Sequence, residues 1–303
     1  MAAPAPERVS GDPAGPAAPP SGQRRSIAAY LLVLPAALWL GAFFVVPFYS
    51  LLASSLFDPE GSVLTGYEAS WHVGNYWDAL TEYWQPLLRS LWYAGLATFF
   101  CLILGYVLAY AIAFKAGRWK NLMLVLVIAP FFTSFLIRTL SWKLILGDSG
   151  WVVDALQTVH ILGEDGRLLA TPVAVIAGLT YNFLPFMVLP LYASLEKMDG
   201  RLIEAANDLY ASPIRAFFTV TWPLSMPGVV GGTLLTFIPA AGDYINAELL
   251  GSPNERMIGN AIQDLFTTIG DNAAAGAMSV ILMAIIVTMV IVYIRKAGTE
   301  ELL

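Results

Sequence analysis

Charge is what this chain has least of. Only 13% of its 303 residues are Asp, Glu, Lys or Arg, against about a quarter in soluble domains. Mean hydropathy is correspondingly high, at +0.66, which points to lipid as the solvent. Cysteine is nearly missing. The one present, Cys101, lies inside an apolar run, which excludes an internal disulfide and a cysteine-based metal site. His72 and His160 are the only two histidines and fall in polar connections. They read as surface or interface residues, with a metal pair as the lesser reading. No G-x-x-x-x-G-K-[ST] loop occurs, so nothing cradles phosphates and the chain is not expected to hydrolyse ATP alone. The net charge of −6 offers no footprint for nucleic acid. Large apolar side chains are almost absent from residues 1–26, which are rich in Pro, Ala and Gly. Such a segment cannot offset its ordering entropy and reads as a disordered tail. Arg24-Arg25 only superficially resembles a twin-arginine signal, because the apolar run behind it is far longer than a signal-peptide core.

What is present is a set of apolar runs long enough to cross a bilayer. About 20 residues of helix span roughly 30 Å of hydrocarbon, and helices are favoured because lipid cannot satisfy exposed backbone groups. Six stretches qualify, near residues 27–56, 88–114, 120–146, 172–195, 225–250 and 274–294. The expected fold is therefore an all-α membrane protein with six transmembrane helices. Lys and Arg counted by loop set its direction. Eleven fall on one side: Arg8, Arg24, Arg25, Lys115, Arg118, Lys120, Lys197, Arg201, Arg215, Arg295 and Lys296. Only Arg167 and Arg256 fall on the other, with Arg89 at its edge. Both termini and residues 196–224 are thus predicted to be cytoplasmic. In the first outer connection, Tyr76, Trp77, Tyr83 and Trp84 suggest a short helix at headgroup level, an aromatic anchor or a contact for an external partner.

The segment from Glu204 to Pro223 interrupts this apolar chain. Leu202, Ala205 or Ala206, and Leu209 recur at helical spacing, and two adjacent alanines leave that face shallow. Ser212-Pro213 is a helix start, Ser at the N-cap and Pro at the first position. Two short helices with a bend at Ala211 follow from this, with Pro223 and Pro227 setting the re-entry angle. From the residues alone, a docking bracket and an ordinary amphipathic loop are equally open.

The segment resembles the Glu-Ala-Ala signature of permease subunits of ATP-binding-cassette importers. Glu204-Ala205-Ala206 match, and Pro223 falls at the right distance. Tyr210 stands where Gly is usual, Val220 for Ile and Trp222 for Leu; Tyr210 implies a matching hollow in the partner. Residues 130–150 (PFFTSFLIRTLSWKLILGDSG) and the stretch from Phe237 to Gln263 (FIPAAGDYINAELLGSP…MIGNAIQ) are similar to the spermidine/putrescine permeases, in particular the first of their two permease subunits. The similarity runs through nearly everything after residue 27. It implies a type I importer permease fold over 27–296, a coupling segment at 196–224 and a short cytoplasmic tail at 297–303. It also implies partners: two copies of an ATPase subunit, which use ATP and Mg while this chain binds no cofactor, a second homologous permease, and an extracytoplasmic solute-binding protein. Glu204, Ala205, Ala206, Asp208, Tyr210, Ser212, Pro213 and Pro223 would form the ATPase-coupling set.

Charges inside spans are costly, about 2.5–3.5 kcal/mol at mid-membrane, and are functional candidates by default. Lys143 can snorkel to the headgroups. Arg138 is deeper and is expected to pair with a carboxylate or cap carbonyls, in a packing or a gating role. Asp243 follows Pro239 and Gly242, where a helix break would border a cavity. With Tyr244 and Glu248 it would suit a polyamine, by charge pairing and cation–π contact. The plainer reading places Asp243 and Glu248 at the outer boundary or paired with Arg138. Gly228 and Gly232 have the spacing of close helix packing. Two alternatives stay open: the same machine carrying iron, sulfate, phosphonate or thiamine, and a secondary transporter or membrane enzyme.

Overall fold

The computed structural model describes residues 27–61, 66–163 and 165–297. The tail predicted at 1–26, with Arg8, Arg24 and Arg25, lies outside the described residues, as does 298–303. The chain divides into two units, Met1–Phe48 and Tyr49–Leu303. In the first, the helix that begins α1 (Ile27–Ser54) exposes its side chains from Leu32 to Leu40 and from Ala42 to Pro47. So long an apolar surface is compatible only with lipid or another protein.

The second unit is helical throughout; its described residues hold no strand, only an isolated bridge between Phe57 and Ala69. Helix α2 runs Gly74–Tyr110, followed by α3 (Lys120–Ile128), α4 (Phe135–Ile145), α5 (Trp151–Thr158) and α6 (Pro172–Glu196). Then come α7 (Arg201–Asp208), α8 (Pro213–Ala216), α9 (Trp222–Leu224), α10 (Met226–Ala241), α11 (Ile245–Leu250), α12 (Ile258–Asp264) and α13 (Asn272–Ala297). Among the described residues of both units, four helices are long and apolar enough to cross a membrane, or up to six if each of two bent pairs is one span.

A short helix carrying Tyr76 and Trp77 precedes the second span as expected: α2 begins at Gly74 and comprises two helices joined across a kink at Tyr83, with φ −108° and ψ 18°. Pro86, just after the kink, cannot donate to the carbonyl of Glu82. One expectation is corrected. The third run, expected as one span over 120–146, is bent by 95° between Phe132 and Phe135. Thr133 and Ser134 are extended there. Both the backbone N–H and the Oγ1 hydroxyl of Thr133 donate to the Pro130 carbonyl, at 3.2 and 2.8 Å, a local closure that competes with continuing the helix.

The core is α2, α6 and α10 packed on one another, with α13 against α2. Along α2 the residues facing inward are small: Ala94, Ala97, Cys101, Gly105 and Ala109 are all buried. Small side chains let backbones approach closely, so dispersion holds helices together where lipid provides no hydrophobic drive. The Cys101 thiol donates to the Thr180 carbonyl of α6 at 3.2 Å. On α10, a Cβ at Gly228 would lie 2.7 Å from the Pro190 carbonyl oxygen, and one at Gly232 would lie 2.7 Å from Met187 Sδ. Helix α6 starts where Pro172 takes the first position and the Thr171 hydroxyl accepts from the Ala174 N–H at 3.3 Å. At its other end Glu196 pairs with Lys120 at 2.7 Å and ties the start of α3 to the end of α6.

Gly228→Val should therefore force α10 off α6. A loss of about 1–3 kcal/mol is expected from overpacking, measured as a lower Tm of the detergent-purified protein. Gly231→Ala, whose new Cβ would sit 3.7 Å from Pro190 Cβ in ordinary contact, should leave Tm unchanged.

Candidate functional site: a projecting corner and a broken span

The Glu204–Pro223 segment folds as a bracket. Helix α7 buries part of Ile203 and Ala206, while Leu202, Glu204, Ala205, Asp208 and Leu209 are exposed. The Leu202, Ala205 and Leu209 face is thus unpartnered among the described residues. After Asp208 the Leu209 N–H donates to the Ala205 carbonyl at 3.2 Å and the Ala211 N–H to the Ala206 carbonyl at 3.1 Å. That six-to-one closure is a Schellman turn, whose pivot residue must be left-handed. The pivot is Tyr210, with φ 58°. A left-handed tyrosine costs about 1–2 kcal/mol that glycine would not, and its side chain is 99% exposed. Ser212 then caps α8, its hydroxyl accepting from the Arg215 N–H at 3.4 Å, with Pro213 in the first turn. The helical run continues through a widened π turn, Phe217–Thr221, into α9. The wide turn lies directly before Pro223, which can neither donate to Thr219 nor pack closely on its carbonyl. The chain bends by 66° between Leu224 and Met226. Leu209, Tyr210, Ile214 and Phe218 form an exposed apolar corner on this bracket.

The second cluster surrounds a helix break. Helix α10 passes through Pro239, stops at Ala241, and the chain restarts as α11 at Ile245. Inside the break, Asp243 Oδ1 accepts from the Asn246 backbone N–H at 2.8 Å and from Asn246 Nδ2 at 3.1 Å. Asn260 of α12 donates through Nδ2 to the Tyr244 carbonyl at 2.9 Å and to Glu248 Oε2 at 3.2 Å. Asn246 Oδ1 accepts from Asn182 Nδ2 of α6 at 3.0 Å, and the same Asn182 amino group donates to Thr139 Oγ1 of α4 at 3.1 Å. Asn182, Asn246, Asn260 and Thr139 are all buried. Gly178, one turn before Asn182, makes the approach possible, since a Cβ there would lie 2.8 Å from Asn246 Oδ1. Asn182 Oδ1 is buried without a donor, a penalty of about 1–3 kcal/mol.

Among the tentative pathway residues, Asp243, Tyr244 and Glu248 lie in or just after the break. Glu248 is held by Arg256 Nη2 at 3.2 Å, and Arg256 also pairs with Asp264. Partial burial works against the Arg256 charge, but Asp264 and Glu248 more than offset it and raise its pKa. Arg256 lines a cavity of about 580 Å³ with Arg89, Tyr83 and Asp264. Arg138 corrects an expectation. It pairs with no carboxylate and donates to no backbone carbonyl among the described residues. Its residue is 8% exposed, Nε and Nη1 have no hydrogen-bond partner, and the guanidinium rests over Phe131 and Phe135 at 5.7 and 5.6 Å. Sequence reasoning missed Asn182; an amide amid the apolar run 172–195 was the available signal.

Tyr210→Gly should keep the turn and slow hydrogen exchange at the Ala211 amide by relieving the left-handed strain. Tyr210→Val, β-branched and worse in that region, should speed it. Equal exchange in both variants would contradict the strain.

A family model described as the binding-protein-dependent transport system inner membrane component matches residues 101–297. The chain is 37% identical over 258 residues to the spermidine/putrescine transport system permease protein PotB of Haemophilus influenzae, covering 85% of this chain and 90% of that one. To the protein of the same name from Escherichia coli K12 it is 36% identical over 260 residues, covering 86% and 94%. Among solved structures, a bacterial alginate ABC transporter in complex with an alginate pentasaccharide-bound periplasmic protein superposes with TM-score 0.71 over 91% of this chain and 96% of that one, at 17% identity. That likeness is one of fold. A helical, multi-pass membrane body, a family match over most of its length and relatives this similar over more than four-fifths of the chain lead to one statement: the chain belongs to the family of binding-protein-dependent transport system inner membrane components.

Proposed function

We propose that this chain is the first permease subunit of an ATP-driven importer of polyamines, spermidine or putrescine. The observation that carries the reading is its identity of more than a third with two spermidine/putrescine permeases over at least nine-tenths of their length. A second permease would complete the pathway, two ATPase copies would drive it, and an extracytoplasmic binding protein would deliver cargo. The alginate transporter's complex with a periplasmic protein supports that last partner.

In this reading α1, α2, the α3–α4 pair, α6, the α9–α10–α11 run and α13 are the six spans of a membrane domain over 27–296. Both termini, with tails at 1–26 and 297–303, lie in the cytoplasm, as does the coupling segment 196–224. The open face of α7 enters a cleft of the ATPase. Glu204 and Asp208 make its polar contacts, Ala205 and Ala206 let backbones meet, Tyr210 fills a hollow, and the Ser212-Pro213 cap and Pro223 keep the lever stiff. ATP binding draws the brackets inward and turns the pathway toward the binding protein; hydrolysis resets it. This chain contributes no nucleotide site and no cofactor.

Along the pathway, Asp243 receives a cargo ammonium and Tyr244 offers a ring beside it. Glu248 can join only by releasing Arg256. Arg138, on α4 packed against α11, would oppose a passing cation and act as a gate.

In proteoliposomes holding the assembled importer, Ala206→Trp is expected to reduce labelled spermidine uptake to background while the chain stays in the membrane. Undiminished uptake would remove the docking role. Asp243→Asn should slow uptake about tenfold at saturating loaded binding protein, the scale of a lost charged hydrogen bond. Absence of both spermidine and putrescine uptake by the wild-type importer, with another solute carried, would replace the cargo but keep the machine.

A further inference from the structure

Asn182 and Asn246 carry no charge, yet together they decide how a carboxylate is presented. The Asp243 carboxylate only accepts. Asn246 therefore turns its amino group to it, beside its own backbone N–H, and both land on the same oxygen, Oδ1. That orientation leaves the Asn246 carbonyl facing α6, where it can only accept. Asn182 answers with an amino hydrogen. Its second amino hydrogen goes to Thr139 Oγ1, whose own proton goes to the Phe135 carbonyl at 3.1 Å. Each orientation fixes its neighbour, and from Asn182 onward the donors point toward Asp243.

Two features suggest that direction, more than local satisfaction, shaped the chain of bonds. The Asn182 carbonyl is buried and has no donor. Meanwhile Oδ2 of Asp243 receives none of the hydrogen bonds found on that residue, both being on Oδ1. One oxygen is clamped from behind and the other is left for something else. Gly178 clears the space for this contact, since a Cβ would lie 2.8 Å from Asn246 Oδ1 and 2.4 Å from Leu250 Cδ1.

We propose that Asn182 is a positioning residue for cargo: acting through Asn246, it clamps Asp243 by Oδ1 and keeps Oδ2 free for a primary or secondary ammonium group. This rests on the reading of Asp243 as a cargo acceptor. Asn182 does not touch cargo. It sets the amide orientation of Asn246, and with it the direction in which Asp243 presents its charge.

A double-mutant cycle on the assembled importer in proteoliposomes tests this. Uptake of labelled spermidine is normalised to assembled complex. Asn182→Leu removes the donor at similar volume. Asn182→Asp keeps the shape but only accepts, so it competes with Asp243 for the Asn246 amino group; it carries the same cycle if the leucine variant fails to assemble. Either change is expected to slow uptake about tenfold in the wild-type background and by less than about twofold where Asp243 is already Asn. Equal losses in both backgrounds, as a general packing defect would give, overturn the positioning role while leaving Asp243 as an acceptor. Undiminished uptake by Asp243→Asn alone overturns the acceptor reading and the positioning role together.

Discussion

A helix that stops inside hydrocarbon frees backbone groups that lipid cannot answer, and the protein must answer them itself. The break after α10, packed on the buried side chains of Asn182, Asn246 and Asn260, meets the same demand inside the protein. Between Ala241 and Ile245 the work falls to side-chain amides and one carboxylate. Asp243 receives an N–H of α11's opening turn from Asn246, and Asn260 reaches across from α12 to the Tyr244 carbonyl. The same groups that make the break tolerable also gather polar chemistry at one point. In the reading proposed for Asp243, structural necessity and a place for a charged ligand would be one arrangement.

Amides can meet there only because the helices around them come close. The small residues lining α2 and the glycines of α10 bring α2, α6 and α10 to backbone contact, and Gly178 does the same for α11 on α6. In a solvent as apolar as leucine, association depends on such contact and on a few interhelical hydrogen bonds. The Asn182–Asn246 bond and the Cys101–Thr180 bond are of that kind.

How much of this was legible in the sequence depends on what each element answers to. Helices α1, α6 and α13 end within three residues of the apolar runs that announce them, because length and hydropathy alone decide them. The start of α2 was legible from its aromatic residues but not as part of one long run, because Asp78, Glu82 and Gln85 lower hydropathy there and the two helices join across a kink at Tyr83. The bend at Thr133-Ser134 was hidden for the opposite reason: the run stays apolar, and a local hydrogen bond to Pro130 breaks it. Short connecting helices such as α5 and α12 have no periodic signal long enough to read. At the bracket, Ser212-Pro213 and the bend near Ala211 were legible because capping chemistry is local. Asn182 and Asn246 are 64 residues apart, so their meeting is a product of tertiary packing. Arg138 was legible as an oddity; that it rests on two phenylalanine rings was not.

The left-handed corner at Tyr210 has a consequence for the life of the subunit. Leu209, Tyr210, Ile214 and Phe218 all face outward from the bracket, and none of the other described residues shields them. With the bracket in the cytoplasm, as proposed, a copy newly made and still alone would present water with a greasy knob of the sort that chaperones and proteases use to sort unassembled chains. Shielding of this knob by a companion would mark the subunit as finished, so quality control and coupling would read the same few side chains.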